Sequence, residues 1–229
     1  MKKIGKLLGL ILVLSMVICT FAACGEEKQN GGNGQEPKAD PTEDIKAVVE
    51  DYMEAYTAFE MEDAMKFVDE DCDLYEQLEE NCNIEEKQKA VAEKMNLDVS
   101  QQKIFVELMT DLMKKSVAAI EFEIGKVEVA EDGKSAVVEY SGKHIDDESY
   151  DLTAEFESAK LQVVLDDVEE RLDDENGEYI QPTDSDVAIQ AWKIAVNNVS
   201  EKWETKDVEK EIKLELIDDE WKIIEIETK

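Results

Sequence analysis

Twice along this chain the spacing of apolar residues changes from a helical step to strict alternation, and that order limits the fold more than any other feature. Ile45, Val48, Val49, Tyr52, Met53, Tyr56 and Phe59 recur at three- and four-residue steps on an acidic background, the mark of a helix with one apolar stripe. A short second helix carries Ala64, Met65, Phe67 and Val68. Weaker helical segments follow near 74–80 and 84–95, and a stronger one starts from a Ser100 cap and carries Ile104, Phe105, Leu108, Met109, Leu112, Met113 and Val117. Then the period becomes two. Ile120, Phe122 and Ile124 alternate with acids, and the apolar phase slips to Val127 and Val129 beside Gly125, the signature of a β-bulge. Asp132-Gly133 predicts a hairpin turn, with Ala136, Val138 and Tyr140 running back.

Residues 152–172 return to helix through Phe156, Leu161, Val164, Leu165, Val168 and Leu172. A helix over about 184–203 has apolar residues around most of its girth, from Val187 through Trp192 to Val199, and so is expected to be buried on more than one side. Two closing strands pair Ile212, Leu214 and Leu216 with Trp221, Ile223 and Ile226 about a turn at Asp218-Asp219. Helices, hairpin, helices, hairpin is the order of an α+β protein with an antiparallel sheet.

The first 24 residues carry an address. Lys2, Lys3 and Lys6 precede an apolar run from Leu7 to Phe21, the plan of a secretory signal and short of the about 20 apolar residues a membrane span needs. The run ends Phe21-Ala22-Ala23-Cys24-Gly25, which resembles the bacterial lipobox, with Phe21 where leucine is usual. The resemblance implies that Cys24 takes a diacylglycerol and, with a further fatty acid such as palmitate, holds the protein on the outer face of the cell membrane once residues 1–23 are cleaved. Residues 24–40 form the tether: between 25 and 39 no apolar residue exceeds alanine, so ordering could not be offset by burial. Asp40 as N-cap, Pro41 at the first helical position and Glu43 three residues on from the cap open one α+β domain expected over 41–229.

Charge narrows the partners. The whole chain has 25 Lys+Arg against 58 Asp+Glu, and loss of the three leader lysines leaves 22 against 58, a net −36. That field repels nucleic acid, so nucleic acid is not an expected partner. The membrane, through the lipid on Cys24, is one expected partner, and a small ligand or surface protein is the other.

Three segments quoted together, "IKAVVEDYMEAYTAFEMEDAMKFV", "EFEIGKVEVAEDGKSAVVEY" and "KLELIDDEWKIIEI", resemble the nuclear-transport-factor-like cone fold, and within it an extracytoplasmic lipoprotein branch of Gram-positive bacteria. The resemblance implies N-terminal helices packed on a curved sheet around a conical pocket, with the two long helices inserted between the hairpins placed to fill or cap it. Relatives of this fold include isomerases and dehydratases, but no residue here matches their sites.

Candidate chemistry is sparse. His144, the one histidine, lies in "SGKHIDDE" beside Asp146, Asp147 and Glu148, and reads as a strand-end histidine among acids rather than a general base. The loop "LDDENGEYIQPT" sets Asp174, Asn176 and Gly177 at EF-hand spacing, but Leu172 and Thr183 occupy the two anchoring carboxylate positions, so no calcium site is expected. The acidic runs Asp69–Asp73 and Asp146–Glu148 read as solvated loops, and the sequon at Asn198 as helical. Cys72 and Cys82 are the two cysteines left in the exported part, and an even pair there suggests a disulfide. Tyr52, Tyr56, Trp192, Trp203 and Trp221 read as core. No catalytic residue, metal or cofactor is expected. The two functions carried forward are a non-enzymatic binding module and a hydrolase or isomerase using a carboxylate of raised pKa inside the cone.

Overall fold

The computed structural model describes residues 40–95, 97–173 and 182–229, and in them the α+β class is borne out. Helices α1 (Thr42–Thr57), α2 (Met61–Ala64), α3 (Asp73–Cys82), α4 (Ile84–Lys94) and α5 (Val99–Ala118) precede strands β1 (Glu121–Val129) and β2 (Ser135–Ile145). Helices α6 (Leu152–Asp173) and α7 (Asp184–Lys202) follow, and β3 (Thr205–Ile217) and β4 (Glu220–Thr228) close the chain. The strands form one four-stranded sheet in the order β1-β2-β3-β4. The leader, Cys24, the tether up to residue 39, and Asp174, Asn176 and Gly177 lie outside the described residues.

The described residues gather into two compact units. The first holds Glu80–Ile120 and His144–Lys206, and the second holds the described residues up to Glu79 with Glu121–Lys143 and Asp207–Lys229.

In the second unit both hairpins form as the alternation predicts. Ile124 faces Tyr140 and Val127 faces Val138, so three steps on β1 oppose two on β2, which is a bulge at Gly125-Lys126. Gly133 sits at φ 65°, in the loop between β1 and β2. Asp218 and Asp219 both take positive φ, 51° and 67°, as a two-residue type I′ connection requires. Helix α1 packs against β1 and β4 and buries Ile45, Val49, Tyr52, Met53 and Tyr56. Its start differs slightly from expectation. Pro41 is the N-cap, and Asp40 stands one residue earlier, accepting from the Thr42 amide at 3.1 Å and hydroxyl at 2.6 Å.

The first unit is helical, with α7 in contact with both α5 and α6, and α4 packed on α5. Trp192, Ala191 and Ala195 of α7 are fully buried, which bears out a helix covered on more than one side. The cap of α5 is Asp98, not Ser100. Its carboxylate accepts from the amides of Ser100 and Gln101, and Gln101 Oε1 accepts from the Asp98 amide, a complete capping box. Helix α6 also differs from expectation. Leu152, Phe156, Ala159 and Val163 face the core, while Leu161, Val164 and Leu165 are 62%, 42% and 54% exposed.

Candidate functional site

A concave feature of the first unit lies between α4 and α5. The two helices are tied by a buried polar contact: the Thr110 hydroxyl donates to Gln88 Oε1 at 2.9 Å, and Gln88 Nε2 approaches Met113 Sδ at 3.4 Å. Gln88 is wholly buried and Thr110 nearly so, and a satisfied polar pair of this kind fixes one register of two packed helices. Above it opens a groove of about 540 Å³, within the size range of small-molecule and peptide sites. Val99 and Val106 give it an apolar strip beside Thr110, walled by Glu85, Glu86, Glu107 and Asp111 and by Lys89, Lys103 and Lys114. Both signs of charge line it, so it suits a ligand carrying both. A second side-chain contact steadies α5: Gln101 Nε2 donates to Asp186 Oδ1 at 2.8 Å in the first turn of α7.

The second unit buries a few polar side chains within its apolar core. On β3 the inward phase runs Lys210, Ile212, Leu214, so a lysine occupies a core position, 5% exposed. The Leu216 amide bonds the Lys134 carbonyl at 2.8 Å and the Asp146 amide bonds the Glu204 carbonyl at 2.8 Å. Those two bonds lie at opposite ends of the antiparallel β2–β3 pair, and counting inward in step from either end brings Tyr140 opposite Lys210. Tyr52 and Tyr56 stack nearby in sequence on α1 with ring centroids 5.9 Å apart. Burial pushes the Tyr56 hydroxyl up to about 12, and it raises Tyr140 as well, with a further contribution from Tyr56. These phenols stay neutral at any physiological pH.

The enzyme reading needs a buried carboxylate of raised pKa, and among the described residues no Asp or Glu is buried. His144 is the penultimate residue of β2, as expected of a strand-end histidine. The acids after it serve Lys206, whose ammonium lies 3.0 Å from Asp146 and 2.9 Å from Asp147. The hydrogen bond from Lys206 is the main cause that holds the Asp146 carboxyl below its usual value. In Asp69–Asp73, the Asp69 amide bonds the Ile223 carbonyl at 2.9 Å and ties the run to β4. Thr183, at the last position of the calcium-like spacing, caps α7 in a capping box with Asp186. Asn198 is helical and donates to Glu155 at 3.1 Å.

The disulfide expectation is corrected. Cys72 and Cys82 form no disulfide with each other, Cys72 being half-buried and Cys82 exposed. Cys72 immediately precedes α3 and Cys82 ends it, so a rise of about 1.5 Å per residue sets their backbones roughly 13–15 Å apart. A disulfide needs Cα atoms about 4.4–6.8 Å apart, and the helix between them would have to unwind. Burial also raises the Cys72 thiol.

Among the described residues no group of three or more metal-ligating side chains comes together. The acidic surface contributes through its summed charge. With a net −33 on the whole chain, self-repulsion opposes the compact state, and screening acts over about 8 Å at physiological ionic strength. The melting temperature is expected to rise as sodium chloride increases to about 0.15 M. Micromolar calcium at fixed ionic strength is expected to leave it unchanged, and a rise with calcium alone would reveal an ion site.

No family profile matches the chain, and no curated protein matches it. Among solved structures, it is similar to an NTF-2-like protein of unknown function from Shewanella oneidensis MR-1, at 12% identity and a TM-score of 0.36, over 82% of this chain and 98% of that one. No described helix is long and apolar enough to cross a membrane.

Proposed function

We propose that this protein is an extracytoplasmic lipoprotein, anchored to the cell membrane through Cys24, that works as a non-enzymatic binding module. The α4–α5 groove is its binding site. The observation that carries the binding role is this groove, an apolar strip of Val99 and Val106 between walls of both charges in a unit whose floor is locked by Gln88 and Thr110. The lipobox at Cys24 and the polar stretch after it carry the address: a domain held a short reach from the bilayer meets ligands or surface proteins at raised effective concentration. Two acyl chains give a stable hold where one is marginal. The cone-fold resemblance fits a module whose role lies in binding.

The ligand that suits the groove is a short segment with apolar side chains and both a cationic and an anionic group, as a peptide provides. Titration of the mature chain with a panel of short synthetic peptides, followed by backbone amide resonances, tests this. Shifts are expected to gather on Val99, Gln102, Val106 and Thr110, and Val106→Glu is expected to abolish them without changing the melting temperature by more than a few degrees. Shifts that gather elsewhere, or that survive Val106→Glu, would contradict the assignment.

A further inference from the structure

The α4–α5 groove changes character along its length. Helix α4 ends at Lys94 and α5 begins at Val99, so the connection between them spans at most about 18 Å. Gln88 of α4 bonds Thr110 of α5, and these residues lie about 9 Å and 16 Å from those two helix ends. Parallel or perpendicular axes would set the ends about 20 Å or more apart, so the two helices form a hairpin. From Gln88, α4 runs forward toward the start of α5 and back toward its C-terminal half. Val99, Gln102 and Val106 therefore line the end of the groove near the connection, where Lys103 Nζ is matched by Glu107 at 3.7 Å. Glu85 and Glu86 line the other end with Asp111 and Lys114, and Lys89 stands one helical turn from Glu85.

The two ends ask for different things. Near the connection the lining is apolar and its charges cancel. At the far end three carboxylates stand against two ammonium groups, a net −1, and among the described residues no ion pair reaches Glu85, Glu86, Asp111 or Lys89. A ligand that fits both ends is apolar along its body and cationic at one tip. We propose that the groove captures the amino terminus of an apolar peptide, a reading that rests on the groove being the peptide site. The α-ammonium sits among Glu85, Glu86 and Asp111, and the next apolar side chains lie along Val106 and Val99. Lys89 donates to a carboxylate or carbonyl of the same segment. An ammonium offers three N–H donors to acceptor-only carboxylates. The amino terminus brings them without a side-chain stem to order, whereas a lysine side chain gives up rotamer freedom to reach the same place. A peptide entering by its carboxyl end would meet three like charges. Over distance, the net −33 of the chain attracts the same cationic tip.

The test titrates the mature chain with three short leucine-rich peptides, each carrying one glutamate, and reads affinity from the Val106 amide resonance. One has an unblocked amino terminus, one is N-acetylated, and one is N-acetylated with lysine in the first place. At low salt the unblocked peptide is expected to bind roughly fivefold more tightly than the acetylated one, as several solvent-exposed charge contacts allow. That ratio is expected to fall below about twofold in about 0.5 M sodium chloride, because the contacts are screened. Glu86→Gln combined with Asp111→Asn, both at exposed positions, is expected to bring the low-salt ratio below about twofold with circular dichroism unchanged. Should the double variant unfold, Asp111→Asn alone serves, with a smaller but measurable fall in the same ratio. Equal binding of the unblocked and acetylated peptides, with Val106 still shifting, overturns the amino-terminal capture and leaves the groove as the peptide site. A lysine peptide that matches the unblocked one overturns it too, since a side-chain cation then suffices. A ratio that survives both substitutions places the ammonium elsewhere and overturns the assignment to Glu85, Glu86 and Asp111. No shift at Val106 with any peptide overturns the groove reading itself, and this inference with it.

Discussion

Trp192→Ala is expected to lower stability by about 3–5 kcal/mol, the range for removing a large buried aromatic. Trp192 is 0% exposed at the centre of the helical unit. Its ring stacks on Phe156 at 4.2 Å and 21° and meets the edge of Phe105 at 5.5 Å and 80°, so truncation removes a contact to each of α5 and α6. The same side chain has a weakness that a second substitution exposes. The buried Trp192 Nε1 has no hydrogen-bond partner, and an orphaned buried donor costs about 1–3 kcal/mol. Trp192→Phe gives up ring volume but removes that donor. The two terms offset, and a change within about 1.5 kcal/mol is expected. Chemical denaturation of the two variants decides it: equal large losses for Phe and Ala would mean that the indole N–H is satisfied after all.

Gly142→Ala is expected to be as damaging by a different route, costing about 3 kcal/mol or more through overpacking. Gly142 pairs with Phe122 across β1 and β2, and a Cβ there would stand 2.1 Å from the Glu121 carbonyl oxygen. That atom belongs to the backbone of a paired strand and cannot swing aside as a side-chain end would, so the hairpin must open. Gly125 provides the comparison within one hairpin. An added Cβ there meets Glu139 Cβ at 3.2 Å, a contact that a few tenths of an ångström relieve. Thermal melts should therefore show a large loss for Gly142→Ala and a small one for Gly125→Ala. Similar losses at both sites would mean that the strands adjust more freely than the register implies.

Local chemistry was legible in the residues wherever neighbours in sequence decide the outcome. The phase slip from Ile124 to Val127, the turn at Asp218-Asp219 and the apolar girth around Trp192 each appear where the pattern puts them. Failure came where two local answers compete. Asp98 and Ser100 are both good caps two residues apart, and the Asp98 carboxylate prevails because it collects two amides and completes a box with Gln101. Helix α6 has two apolar faces, and periodicity alone does not say which one meets α7. The cysteine pair misled because counting thiols ignores the helix that keeps them apart. Lys210 had a signal, a lysine in phase with Ile212 and Leu214, that reads as inward only once the strand's core face is chosen. The groove had none, since it depends on how α4 lies on α5, which the Gln88–Thr110 contact sets across 22 residues.

The proposed anchoring rests on one atom, the Cys24 thiol. Cells expressing the full chain are grown with a labelled palmitate analogue, and the wild-type protein and Cys24→Ser are compared for label and for partition into the membrane fraction. The wild type is expected to carry label, to sediment with membranes and to begin at Cys24 by intact mass, while Cys24→Ser loses the label and leaves the membrane fraction. Label and membrane partition unchanged by Cys24→Ser would contradict the account.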